Sequence, residues 1–398
     1  MSHTDTTAAG PGILRLAAAR PTRRQLLGGI GAAASLAALP RASRAVGEPI
    51  RIGVSAPLTA QFAQLGQWTK NGINIATAEI NGRGGIKGRP LEVIFADDQG
   101  PNPTAAANAV TKLLAQEKVT AMIGPHFTPA ILPNLPLLEH FKTPTLTGAS
   151  GPAVTERKSP WVFRTRLNDN LGAALLVKFA TEELGWKKIG LEYVNTAFGQ
   201  SGIAAVKQAL TEAKVEPALV QTHTDATRDF TPHVLAFNDA GVDGVISWTD
   251  DQPAGLFVKQ MRTLGAKFGL AGSTSFSQPM FLQLAGDGAE GIYSVSDFTT
   301  SNPSPAIQDW NKRYESIHHE QPELYATTYY DTLNLLARAL DRAPELTGPA
   351  LRQALTELHG VAGVMTTYDY SPTGDMVHAG LITRVEGGQP KVVRTIGA

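Results

Sequence analysis

Residues 119–155 read VTAMIGPHFTPAILPNLPLLEHFKTPTLTGASGPAVT, and the fold follows from how this stretch is divided. Val119–Ile123 and Thr143–Leu146 are short apolar runs with the length of buried strands. Each runs straight into a turn rich in Gly, Pro, Ser and Thr from which a helix can start. Thr128 is expected as an N-cap and Pro129 as the first helical residue, where its missing N–H costs nothing. A helix that begins at the carboxyl end of a parallel strand offers free N–H groups to an anion. In the second turn, Gly148-Ala149-Ser150-Gly151 leaves room for close approach to the backbone. Two such turns side by side predict a carboxylate pocket.

Working outward, short β-rich runs alternate with helical periods along the whole chain. Before the decisive stretch come strands at Ile50–Ala56 and Leu91–Ala96 and helices at Leu65–Asn81 and Pro103–Gln116. After Pro160 a second round follows. Strands are predicted at Trp161–Arg164, Lys188–Tyr193, Val215–Thr222, Val242–Trp248, Phe268–Ala271 and Ile292–Ser296, with helices at Asn170–Leu184, Phe198–Ala213, Thr231–Ala240 and Pro253–Leu264. Three helices then come in sequence (Pro305–His318, Tyr325–Ala343, Gly348–His359), and strand-like runs Ala379–Val385 and Lys391–Ile396 close the chain. Alternation of this kind predicts α/β architecture with parallel sheets, right-handed crossovers and two similar lobes.

Composition narrows the function. The chain has 398 residues, 42% of them apolar, enough for two cores. Its formal charge is zero, but residues 1–45 hold six arginines against one acid, so the remainder carries 34 acidic against 29 basic side chains. A mildly acidic body without basic blocks argues against nucleic acid as a partner. There is no cysteine, which excludes disulfides, thiolate metal sites and thiol nucleophiles. Thr22-Arg23-Arg24-Gln25-Leu26-Leu27 is a twin-arginine motif. It precedes a 14-residue apolar run, Leu26–Leu39, and a small-x-small site, Ser43-Arg44-Ala45. Such a run is too short to span a bilayer and reads as a signal peptide over residues 1–45. The mature chain, starting near Val46, is expected to be soluble in the periplasm.

Enzyme machinery is not legible. Neither Gly148-Ala149-Ser150-Gly151-Pro152 nor Gly199-Gln200-Ser201-Gly202-Ile203 is a nucleophile elbow, and no phosphate loop exists. His318-His319-Glu320 lacks zinc-protease spacing, and His126, His223 and His233 read as surface or satisfied loop residues. The acid pairs Asp97-Asp98 and Asp250-Asp251 each follow a strand, so neighbouring side chains are expected to point apart. No catalytic residue, metal or cofactor is expected.

Several segments together resemble the type I periplasmic binding proteins of ABC importers, the group of the leucine/isoleucine/valine receptors. They are Ile52–Thr59, the Asn81–Gly88 turn NGRGGIKG with Asp97-Asp98 beyond it, Asn102-Pro103, Ile123-Gly124-Pro125, Phe163-Arg164-Thr165, Phe198-Gly199, Glu290-Gly291, and Tyr329 with Asp331. The resemblance runs from Ile50 to about Val393. It implies two Rossmann-like lobes joined by a three-crossover hinge, with residues 46–167 and 298–365 in the first and 168–297 and 366–398 in the second. It also implies a ligand, an amino acid or related small carboxylate, in the interlobe cleft. Thr128 and Ser150 correspond to the carboxylate grip, Ala149 to a backbone carbonyl facing the ammonium, and Phe198 to an aromatic of the second lobe, with Phe127 and Tyr329 nearby. The family's ammonium-pairing glutamate falls nearest Pro253, which moves that role to Asp250, with Asp251 or, at the hinge, Asp297 in reserve. The partners implied are a membrane permease and its ATPase, and a monomer is expected. A non-amino-acid ligand (an aromatic acid, an amide or urea) and a sensory role on the same fold are the competing readings.

Overall fold

The computed structural model describes residues 47–396 of the chain; the twin-arginine signal reading lies outside the described residues. The alternation of strands and helices builds two sheets. The first is β1 (Ile50–Ala56), β2 (Leu91–Asp97), β3 (Ala121–Ile123), β4 (Thr145–Thr147) and β5 (Val162–Arg164), all parallel, in the order β2-β1-β3-β4-β5. β3, β4 and β5 are fully buried, as parallel strands covered on both faces must be. The second sheet is built from β6 (Ile189–Val194), β7 (Leu219–His223), β8 (Gly244–Trp248), β9 (Gly269–Gly272) and β10 (Tyr293–Ser296) in the order β7-β6-β8-β9-β10. A small antiparallel sheet of β11 (Val361–Ala362), β12 (Thr367–Tyr370) and β13 (Met376–Val377) comes next in sequence. The chain then returns to the second sheet, adding β14 (Gly380–Glu386) and β15 (Gln389–Ile396) antiparallel beyond β10.

Each sheet has its own core. The first buries β1, β3 and the helix Ala63–Gly82 against the late helices, including Trp310, Leu333 and Leu336. Tyr368 and Met376 also belong to this core, so the chain as far as β13 packs with the first sheet. The helices Ala63–Gly82 and Leu324–Arg342 touch so closely that a Cβ on Gly72 would lie 2.0 Å from the carbonyl oxygen of Ala326. On the second sheet, Leu191, Ile246 and Trp248 meet the helix Ala197–Glu212 in one cluster, and Phe237, Phe257 and Phe281 fill the opposite face.

Three chain segments connect the sheets, and buried ion pairs hold them together. Arg164, fully buried, places its Nε 2.6 Å from Asp375. Arg166 makes two bonds to Asp297, at 2.9 and 3.0 Å. The first, second and third segments are thus joined through largely buried side chains.

The structure departs from the expected elements in several places. The helix expected at Pro103–Gln116 is α-helical only over Pro103–Thr111 and ends in a π-helical turn, Lys112–Gln116. The helix Pro279–Ala285 and the strands β11 and β12 were not expected, because all are too short for their periodicity to stand out. Thr128 is not the cap of its helix. Phe127 occupies that position, and Thr128 is the first residue of the single turn Thr128–Ile131.

Candidate functional site

Strand order fixes where a ligand can sit. In open α/β sheets ligands bind beyond the carboxyl ends of strands where the winding reverses. In the first sheet that place lies between β1 and β3, and in the second between β6 and β8. His126, Phe127 and Thr128 follow β3, Phe198 follows β6, and Asp250 follows β8. All five line one cavity between the lobes, with an empty volume of about 440 Å³. A wider groove of about 1400 Å³ runs beside the hinge along Phe163 and Asp375, but neither reversal point opens into it.

The first-lobe wall is made of the two turns read from residues 119–155, bonded to each other. The Gly151 N–H donates to Thr128 Oγ1 at 3.2 Å. Thr147 Oγ1 donates to the Pro125 carbonyl at 2.6 Å and accepts the Ala149 N–H at 3.1 Å. Gly124 turns with φ of 82°, and a Cβ there would sit 2.1 Å from the Ser55 carbonyl oxygen. With its oxygen already accepting a bond, the Thr128 hydroxyl proton is available to a ligand. His126 is buried, and its Nδ1 lies 2.8 Å from the Tyr329 hydroxyl. Burial, helped by the charge of Arg166, pushes the imidazole well below its ordinary value, so it is neutral at pH 7.

Ser150 lines the cavity beside an unexpected acid. Asp169 also lines it, and its Oδ2 accepts from the Trp248 indole N–H at 3.1 Å. Burial pushes Asp169 up to about 6, although Trp248, the two hinge arginines and the Ser150 hydroxyl all pull it down.

The second-lobe wall carries Phe198, Asp250, Thr274 and Ser275. Thr196 caps the helix Ala197–Glu212 through the Gly199 N–H, which sets Phe198 at its start. Asp250 holds the N-cap position of the helix Asp251–Thr263, yet its side chain makes no capping bond. It lines the cavity instead. Burial, with Asp225 and Asp251 nearby, raises its pKa well above the ordinary carboxyl range. Asp251 does not turn out to solvent as expected. The Ser275 hydroxyl and the charge of Arg166 act on it against burial, which pushes it up to about 6. Asp250 faces the cavity, and Asp251, one residue on, is half-buried near Ser275, because the chain enters a helix here, which ends the strict alternation of a strand.

Of the residues picked out from sequence, Phe127, Thr128, Ser150, Phe198 and Asp250 come together, and three do not reach the cavity wall. Ala149 is buried beneath its turn. Tyr329 stands behind His126. Asp297 stands behind Arg166 and also accepts the Leu167 N–H at 3.0 Å. Burial alone would raise Asp297, but Arg166 outweighs it and holds it low, so this carboxylate is not free to pair a ligand. His126, Arg166, Asp169, Ser275 and Tyr325 line the cavity without having been expected there. His126 had a signal in its place between Gly-Pro and Phe-Thr in the decisive stretch. Tyr325 had none, since it is brought in by a late helix. His126 and His223 are both buried rather than superficial. Asp331 serves structure, accepting from the N–H groups of Val364 and Met365 and from the Tyr368 hydroxyl.

Comparison with known proteins matches this geometry. The family model described as periplasmic binding protein covers residues 49–389. The Leu/Ile/Val-binding protein homolog 3 of Brucella melitensis is 26% identical over 333 residues, covering 82% of this chain and 88% of that protein. The leucine-, isoleucine-, valine-, threonine- and alanine-binding protein of Pseudomonas aeruginosa is 23% identical, covering 77% of this chain and 82% of that one. The leucine binding protein LivK of Thermotoga maritima shares the fold with a TM-score of 0.81 at 21% identity, over 87% of this chain and 99% of that one. A solute binding protein of R. palustris solved in complex with benzoate shares it at 0.80 and 20% identity, over 88% and 96%. With a family model spanning nearly all of its described residues, and with two largely parallel sheets whose reversal points face one another across a cavity, this chain belongs to the periplasmic binding protein family.

Proposed function

We propose that this chain is the extracytoplasmic receptor of an ABC importer. It captures an amino acid or related small carboxylate between its lobes and presents the closed form to a membrane permease and its ATPase. The observation that carries this reading is the pairing of opposite chemistries across one cavity. The hydroxyls of Thr128 and Ser150 line the first lobe, and the carboxyl of Asp250 and the ring of Phe198 line the second. Thr128 and Ser150 grip the ligand carboxylate, and Asp250 pairs its ammonium, since an unpaired charge in a closed cleft is too costly. The lobes divide near residues 167 and 297, and the packing of Tyr368 and Met376 in the first core favours a third crossing near His378. The protein acts as a monomer and reaches the periplasm by the twin-arginine route, which replacement of Arg23 and Arg24 by lysine should block.

A thermal-shift and calorimetric screen of single amino acids and small carboxylates tests the receptor reading. A ligand at 100 times its dissociation constant adds about 2.7 kcal/mol of stability. Absence of any such ligand among these classes, with an intact fold, rejects it. The rings of Phe127, Phe198 and Tyr325 on the cavity wall favour a second reading, an aromatic carboxylate. Tight binding of benzoates that is insensitive to Asp250→Asn would select it.

A further inference from the structure

The charges around the cleft do not balance for a simple zwitterion. One lining side chain is permanently cationic, Arg166, and Asp297 already neutralises it through two bonds. Against that neutral pair stand three further carboxyls: Asp169 and Asp250 on the wall, and Asp251 beside Ser275. All three come from the second lobe, Asp169 at the start of the helix Asp169–Lys178 and the other two at the start of the helix Asp251–Thr263. An α-amino acid with an uncharged side chain supplies one ammonium and one carboxylate and leaves the imbalance where it was. The uncharged part of the wall also suits a cation, because Phe127, Phe198 and Tyr325 present aromatic rings, and a desolvated cation over an aromatic face is favourable.

Resting on the reading of this cavity as the ligand site, we propose that the cleft selects a small molecule with two cationic groups, of the chemistry shared by basic amino acids and short diamines. One cation pairs Asp250, and the other lies between Asp169 and Asp251. The carboxylate of a basic amino acid, where present, meets the Thr128 hydroxyl. Burial already pushes all three acids upward, so a second cation relieves a strain that a neutral side chain would leave in place. The two sources differ in whether the Thr128 side of the cavity is used.

Calorimetric titration at pH 7.5 and low salt with lysine, ornithine, 1,4-diaminobutane, leucine and benzoate distinguishes the outcomes. The expected result is lysine or ornithine binding at least tenfold tighter than leucine. That ratio should shrink at least tenfold in Asp251→Asn and be retained in Asp251→Glu, with the melting temperature of each variant recorded to show that it is folded. Diamine binding equal to that of lysine supports the two-cation ligand while removing the carboxylate from the receptor reading. Leucine binding as tightly as lysine, or a ratio unchanged in Asp251→Asn, overturns the proposal and leaves the receptor reading standing. Failure of every compound to bind overturns both.

Discussion

Asp250 stands where a helix cap would be, yet points its carboxyl into the cleft without a capping bond. A residue that forgoes a local bond is doing something else, and here the cavity is the only use its position offers among the described residues. Removing its charge should weaken an ammonium ligand by about 10- to 100-fold, the equivalent of a charge-assisted hydrogen bond of about 1.5–3 kcal/mol. Thr128→Ala should weaken a carboxylate ligand by a similar factor. It should also cost a little stability, because the Gly151 N–H loses its acceptor. Titration calorimetry of both variants against matched amino acids and their deamino analogues separates the two roles. Acidity adds a signature at the same scale. Burial pushes Asp251 and Asp169 up to about 6 and raises Asp250 well above the ordinary carboxyl range, so cation binding needs protons removed from them. Affinity for a cationic ligand should therefore fall steadily between pH 7 and pH 5.

Among the elements, the helix Leu324–Arg342 carries the most. It delivers Tyr325 to the cavity and Tyr329 to His126, and most of its length is buried. Its start is fixed by Glu323, whose carboxyl accepts the N–H groups of Tyr325 at 2.8 Å and Ala326 at 2.6 Å. Burial pushes this carboxyl up to about 8, so at neutral pH the cap acts largely in its protonated form. An amide keeps only one acceptor oxygen, so Glu323→Gln should lose one of the two bonds. It should cost less than Glu323→Ala, for which about 1 kcal/mol is expected, as for other lost caps, both read from urea unfolding midpoints. The contact at Gly72 is less forgiving. A methyl group there meets the backbone of Ala326 rather than a movable side chain. Gly72→Ala should cost at least about 1–3 kcal/mol and displace Tyr325, so ligand affinity should drop along with stability.

Over the whole molecule, the hinge is held by buried pairs whose partners come from distant parts of the sequence. Arg164→Met removes the cation from Asp375 and from the Ser150 and Gly151 carbonyls that it also bridges at 2.7 Å. Breaking one side of a buried pair costs about 3–5 kcal/mol, and unfolding by denaturant should show a loss of that order. Stability should also depend on pH in an unusual direction. Asp98, Asp169, Asp251 and Asp331 are pushed to about 6 and Glu323 to about 8, all by burial. Between the unfolded value near 4 and these folded values the native chain holds more protons than the unfolded one, so stability falls as pH rises through that window. His126 and His233, both depressed by burial, act in the opposite sense below pH 6.5, but they are two groups against these five together with Asp225 and Asp250, which burial also raises. The ligand-free protein should melt higher at pH 5.5 than at pH 7.5 by calorimetry, and saturating cationic ligand should reduce or reverse that difference.

The sequence by itself determined the alternation of strands and helices, because hydrophobic period and turn chemistry are local. The helices Pro305–His318 and Thr231–Ala240 and the strand Ile50–Ala56 fall where periodicity puts them. It also determined that the turns after β3 and β4 would be open and rich in hydroxyls, because Gly, Pro, Ser and Thr carry that information in their own backbones and side chains. Tertiary structure alone decided which polar groups are free. Asp297 and Asp250 look alike in sequence, but only one of them has Arg166 packed against it. Asp169 and Tyr325 reach the cavity from a hinge segment and a late helix, and no local pattern records a meeting between residues so far apart in the chain. The charge of the cleft is the sum over such meetings, and so it became visible only when the lobes were folded against one another.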